Sequence, residues 1–138
     1  MLAIVHWTYL KRDDDPGWDD TFCLYAYLHA SRNWLLYLGK ADYATVRQRY
    51  RARDKDALFN DIRRRYGTDD VRVLHGNLRF PDGGRRTSQL LSDVESLLVK
   101  RLDPFGNIQS RKTRISRPGM RVQFDGFWPF RRRSFRDL

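Results

Sequence analysis

The chain carries a single cysteine and a single glutamate, and nowhere does it gather an apolar run long enough to cross a bilayer. Lone Cys23 excludes an internal disulfide and any zinc site built on several thiolates. Without a stretch of about 20 apolar residues, no membrane-spanning helix is expected. Met1 to Leu10 is apolar, but it holds His6, Trp7 and Thr8. It also lacks a basic leader and a small-residue cleavage pattern, so it is not read as a secretory signal. Internal repeats and long low-complexity tracts are missing too. What remains is one domain over residues 1–138, with 14% aromatic residues to fill a core. An intracellular, cytoplasmic protein with no membrane partner is the expectation.

The net charge is +10 and is spread unevenly. Residues 1–20 sum to −3, through Asp13-Asp14-Asp15, Asp19 and Asp20 against Lys11 and Arg12, whereas residues 21–107 sum to +6 and residues 108–138 to +7. Most of the cations are arginines, whose planar fork suits phosphate. A polyanionic partner is favoured, nucleic acid first and an anionic membrane second. A basic protein with no such partner is the plainer alternative.

Hydrophobic periodicity predicts a strand over residues 2–10 and a turn-prone stretch through Asp20. A hairpin follows, from Thr21 to His29 and Trp34 to Ala41, around the turn signal Ser31-Arg32-Asn33. Asp42 is placed to cap a short helix with Tyr43, Val46 and Tyr50 on one face. A second helix is expected from Asp54 to Tyr66, aligning Phe59, Ile62 and Tyr66, with Gly67 as its stop. Val71 to Phe80 alternates as a third strand, and Pro81-Asp82-Gly83-Gly84 is a turn. The last long helix starts near Thr87 or Ser88, ends before Pro104 and buries Leu90, Leu91, Val94, Leu97, Leu98 and Leu102. Beyond Asn107, Arg117-Pro118-Gly119 suggests a turn and Arg121 to Phe124 a strand. The tail Phe127-Trp128-Pro129-Phe130-Arg131-Arg132-Arg133 is equipped either to stack on bases or to pack its aromatics back and leave its arginines solvated.

Two segments stand out chemically, Tyr25-Ala26-Tyr27 and Tyr37-Leu38-Gly39-Lys40. Strands favour tyrosine, so packing alone would explain them. An odd-length loop opposes Tyr27 to Tyr37 on one sheet face; an even loop separates them unless a bulge intervenes. Glu95 lies at the border of the long helix's apolar stripe, where a carboxylate needs a cationic partner. Mg²⁺ accepts such single carboxylates, with waters and phosphate completing its shell; a solvated glutamate beside Arg101 is the plainer reading. Arg47 projects one turn beyond Tyr43 among Arg49, Arg51 and Arg53. Asn107, after Pro104-Phe105-Gly106, could anchor backbone or ligand. His29 shares a strand face with Tyr27, as a proton acceptor or simply a hairpin-end histidine.

Taken in order, Tyr27, Tyr37-Leu38-Gly39-Lys40, Arg47, Glu95 and Asn107 resemble the GIY-YIG nuclease family. The likeness covers residues 21–107 and extends to the excinuclease catalytic domain and to homing endonucleases. Tyr37-Leu38-Gly39-Lys40-Ala41 and Glu95-Ser96-Leu97-Leu98-Val99-Lys100 carry it most clearly. The resemblance implies an α+β fold, with a small central antiparallel sheet flanked by helices and room for extra N- and C-terminal strands. Residues 1–20 and 108–138 would be extensions of the catalytic core.

It also implies an endonuclease that hydrolyses phosphodiesters with Mg²⁺ or Mn²⁺, on DNA before RNA, as a monomer or homodimer. Glu95 would hold the metal and Arg47 would grip the scissile phosphate. Tyr27 would meet the attacking water with Tyr37 beside it, Lys40 would add positive charge, and Asn107 would position backbone or water. Arg49, Arg51, Arg111, Lys112, Arg114 and Arg117 are assigned to nucleic-acid binding. Tyr25 stands where the family has glycine and receives no role. A catalytically silent nucleic-acid-binding module, or a nuclease acting as part of a larger complex, is the competing expectation.

Overall fold

The computed structural model describes residues 1–107 and 119–137. Apolar alternation forms β1 (Leu2–Tyr9), β2 (Cys23–His29), β3 (Leu35–Ala41), β4 (Val71–Arg79), β5 (Arg121–Gly126) and β6 (Ser134–Arg136). Three helices accompany them: α1 (Val46–Tyr50), α2 (Asp56–Tyr66) and α3 (Ser88–Leu102). The fold is α+β. The strands make one six-stranded sheet in the order β3-β2-β4-β1-β5-β6. From β3 to β1 all neighbours are antiparallel, but β1 and β5 run parallel, so the sheet is mixed. It is also wider than the small antiparallel sheet expected, because β1 recruits β5 and then β6 onto its free side.

Every residue of β2 is buried. That strand lies between β3 and β4, and both of its faces are covered. On one face α3 presses Leu90, Leu91, Val94, Leu97 and Leu98 onto Leu24, Ala26, Leu28 and Leu38, together with Ala3, Val5 and Trp7 of β1. On the other, α1 and α2 bring Val46, Leu58 and Ile62 against Cys23, Tyr25, Tyr27 and Leu36. The tail settles on the first core: Trp128 is 3% exposed and stacks on Trp7 with centroids 5.0 Å apart, and Phe130 meets it edge-on at 5.1 Å. Trp128 and Phe130 thus pack back, while Phe127, Arg131 and Arg132 stay exposed.

Capping sets where two helices begin and end. Thr45, not Asp42, caps α1: its hydroxyl accepts from the Gln48 N–H, and the Gln48 side chain returns to the Thr45 N–H. The helix thus starts later than expected, and Tyr43 lies outside it, 89% exposed. A 3₁₀ turn over Arg53–Lys55 precedes α2, which ends at Gly67 in the left-handed region (φ +77°) that glycine tolerates.

Candidate active site

The β2–β3 register sets the tyrosines face to face. Tyr27 pairs with Tyr37 and Tyr25 with Gly39, and the register shifts immediately beyond Tyr27. The Tyr27 and Tyr37 rings stack at 5.5 Å, and Tyr25 lies 6.0 Å from Tyr37. Gly39 makes this possible, since a Cβ there would sit 2.7 Å from the Tyr25 ring and hydroxyl. The aromatic at the position where glycine was expected therefore packs over the glycine of the second motif.

Tyr25, Tyr37, Lys40, Arg49 and Glu95 line one open cavity of about 310 Å³, with Asp42, Tyr43 and Ala44 at its rim. A second, of about 600 Å³, shares Tyr37 and Arg49 and adds Lys55, Phe105 and Asn107. Burial is the main influence raising the Glu95 carboxyl above its usual range; Lys40, the Lys40 backbone N–H, Lys55 and Arg49 act against it. Burial, then the nearby Glu95 charge, likewise raises the Tyr37 phenol, opposed by the Tyr25 hydroxyl and Arg49. Arg49 interacts with the Tyr25 hydroxyl and donates to Asp54 at 2.9 Å. A polar chain therefore runs from Arg49 through Tyr25 to Tyr37, facing Glu95.

Four expected site residues gather around this cavity, and two do not. Tyr37, Lys40 and Glu95 line it, and Asn107 supports it from below. The Asn107 Nδ2 donates to the Leu38 carbonyl at 2.6 Å and its Oδ1 accepts the Leu38 N–H at 2.9 Å. Gly106 N–H adds a bond to the Leu36 carbonyl at 2.7 Å. Asn107 is thus an anchor of backbone. Lys40 reaches the Ser92 hydroxyl on α3.

Tyr27 lies beneath the cavity, fully buried among Tyr25, Tyr37, Tyr50 and Phe59. Its hydroxyl finds no hydrogen-bond partner among the described residues. Burial drives its phenol far above the ordinary value. Contact with an attacking water is not what this position offers.

Arg47 points elsewhere as well. It donates to Asp19 at 3.2 Å and to the Asp13 carbonyl at 2.5 Å, and lies over the Trp18 ring. With α1 starting at Val46, Arg47 and Arg49 fall on different faces, and Arg49 is the one turned to the tyrosines. Arg51 is exposed at the C-cap of α1. Arg111, Lys112, Arg114 and Arg117 lie outside the described residues. His29 is a hairpin-end residue: it is 8% exposed, takes the Ser31 N–H on Nδ1 and packs edge-on against Trp34 and Tyr66.

Two residues of the site are ones to which sequence reasoning gives no catalytic part. Tyr25 stands at a glycine position of the motif, yet its hydroxyl joins Arg49 to Tyr37. Lys55 is hidden in a run of charged residues, but it is 3% exposed and its Nζ lies 5.4 and 5.3 Å from the Tyr25 and Tyr37 ring centroids. Burial, then Arg49, lowers its pKa to about 8, against Asp54 and Glu95.

Among the described residues, Asp20, Cys23 and His75 form a cluster able to hold a metal ion, apart from this cavity. Compared with models of protein families, with curated proteins and with solved structures, the chain matches none of them.

Proposed function

We propose that the chain is a metal-dependent endonuclease of GIY-YIG type, hydrolysing phosphodiester bonds in nucleic acid, with DNA the first choice. The observation that carries this reading is a half-buried glutamate facing a tyrosine hydroxyl in an open cavity lined by Lys40 and Arg49, with Lys55 in the adjoining cavity. Lys40, Lys55 and Arg49 all act on Glu95 there, a cationic setting that suits an anionic diester.

Glu95 is a hard oxygen donor at an open surface. That chemistry fits Mg²⁺ or Mn²⁺, with water and phosphate oxygens in the remaining positions. Such an ion would supply charge stabilisation to the phosphate and its leaving oxygen. The chain's own groups do the rest. Arg49, in place of Arg47, grips the scissile phosphate through its planar fork, and Lys55 adds charge from the cavity floor. Tyr37 holds the attacking water and receives its proton. Tyr25 donates a hydrogen bond to the Tyr37 oxygen, favouring the ionised form. Asn107 keeps β3, and with it Tyr37 and Gly39, in place.

The test is cleavage of labelled duplex, single-stranded and branched DNA, and of RNA, with Mg²⁺, Mn²⁺ or chelator. Wild type should cut at least one substrate with metal, and Glu95→Ala should lose that activity by about 100-fold or more. Equal cleavage by both proteins would refute the reading. Binding without cleavage by wild type on every substrate would favour the silent module, which the raised Tyr37 phenol makes the natural second reading.

A further inference from the structure

At the opposite end of β2 from the hairpin turn, three ligating side chains converge from three segments. Cys23 opens β2, and His75 sits in β4 opposite Tyr25, so the two are diagonal neighbours across adjacent strands. Asp20 closes the 3₁₀ turn Pro16–Asp19 just before β2. Each offers one ligand atom, and all three atoms lie within 4.8 Å of one another. His75 Nε2 is 2.8 Å from Asp20 Oδ2, while the Cys23 thiol makes only a long 3.9 Å contact to the Asp20 carbonyl.

We infer that Asp20, Cys23 and His75 form a metal site of the zinc class, distinct from the Glu95 cavity. One sulfur, one imidazole nitrogen and one carboxylate oxygen make a borderline-soft set that suits Zn²⁺ and not Mg²⁺. Zinc bonds of about 2.0–2.3 Å in tetrahedral directions set ligand atoms roughly 3.3–3.8 Å apart. Binding therefore needs the Asp20–His75 contact to open by about half an ångström. The Asp20 side chain, 44% exposed, has room to do so. A buried thiolate beside a carboxylate is otherwise unfavourable, and a divalent cation resolves both charges.

The site has a structural consequence. Asp20 also accepts the Val46 N–H on its carbonyl, and its neighbour Asp19 pairs with Arg47. A metal tying Asp20 to β2 and β4 therefore braces the start of α1, the helix that carries Arg49.

The experiment uses the full chain with the metal alone. After equilibration with Zn²⁺ and desalting, elemental analysis should find about one zinc per chain. Titration with Co²⁺ should give visible bands of a tetrahedral centre and a near-ultraviolet thiolate-to-cobalt band. Cys23→Ser should abolish the near-ultraviolet band. Asp20→Asn, a conservative change at an exposed side chain, should weaken Co²⁺ binding at least about tenfold while circular dichroism shows an intact fold. Glu95→Ala should retain the zinc. The inference is overturned if wild type keeps no stoichiometric zinc, leaving an ordinary histidine–aspartate pair. A Co²⁺ spectrum unchanged by Cys23→Ser, or affinity unchanged by Asp20→Asn, would overturn it equally.

Discussion

Lys55→Met should make the fold more stable while removing activity from the cavity. Lys55 is 3% exposed, its ion pair with the exposed Asp54 is long at 3.8 Å, and its ammonium rests on two tyrosine rings. Burial and Arg49 bring its pKa down from 10.5 to about 8. At about 1.36 kcal/mol per pH unit, that shift sets roughly 3 kcal/mol against the charged form in the folded state. Below pH 8 the folded protein bears this cost in full. Between pH 8 and 10.5 the unfolded chain holds a proton that the folded chain has released, so stability rises with pH. Above that window both states are neutral and the cost is gone.

Methionine keeps most of the stem's volume and carries no charge. The variant should therefore exceed wild type by up to roughly 3 kcal/mol near pH 7, and the gap should close towards about pH 10.5. Urea denaturation of both proteins across that range measures it. Taking their difference largely cancels the titrations of Tyr25, Tyr37 and Glu95, which are common to both. A variant less stable than wild type near neutrality, or a gap that stays constant with pH, would refute the reasoning. Cleavage by the stabilised variant should fall by about tenfold or more, since a cation is removed from the phosphate's surroundings.

Other substitutions separate roles within the site. Tyr27→Phe removes a buried hydroxyl that has no partner among the described residues; it should be neutral or stabilising by about 1 kcal/mol and keep activity, whereas Tyr37→Phe should lose cleavage by about 100-fold, both checked by thermal melts and single-turnover assays. Arg49→Gln should cost most of the cleavage rate, and Arg47→Gln should leave it within a few-fold, with comparable folded content by circular dichroism. Asn107→Ala strands the Leu38 N–H and carbonyl and should destabilise by about 2–3 kcal/mol in chemical denaturation; an unchanged midpoint would contradict the anchoring role.

The tyrosine hairpin was legible as two strands about a turn, because the side-chain period of a strand is two; its register was not, since Leu28 pairs with Leu35 around an even loop and the irregularity between Tyr27 and Leu28 is what restores Tyr27 opposite Tyr37. The α3 stripe was legible for the same kind of reason, since Leu90, Leu91, Val94, Leu97 and Leu98 keep helical spacing over about two and a half turns. Arg47 was singled out by its offset of eight residues from Gly39, which the resemblance supplied, whereas in the structure Arg49 is the arginine that meets the tyrosines. Asp42 and Thr45 are both good caps, and the later start leaves Tyr43 outside the helix without turning Arg47 relative to Arg49, which lie about 200° apart whichever residue caps. Only the return bond from Gln48 tells the two caps apart. Lys55 was illegible because burial of a lysine is decided by what packs over it, and its neighbours Arg53, Asp54 and Asp56 suggest a solvated turn. The parallel β1–β5 pairing joins residues more than a hundred positions apart, and nothing local in Arg121–Gly126 names its partner.

β3 is the last strand at its end of the sheet, and its outward groups are already occupied: Leu36 by Gly106, Leu38 by Asn107, and the Lys40 N–H by the neighbourhood of Glu95. The opposite margin is β6, three residues long and too short to template another chain. A second molecule could extend the sheet at β3 only by unseating Asn107 and crowding Glu95. Growth by strand addition and an intact cavity are thus mutually exclusive. Aggregation that begins there should register as lost cavity function before any loss of secondary structure, and a homodimer that keeps the cavity must meet through helices or loops.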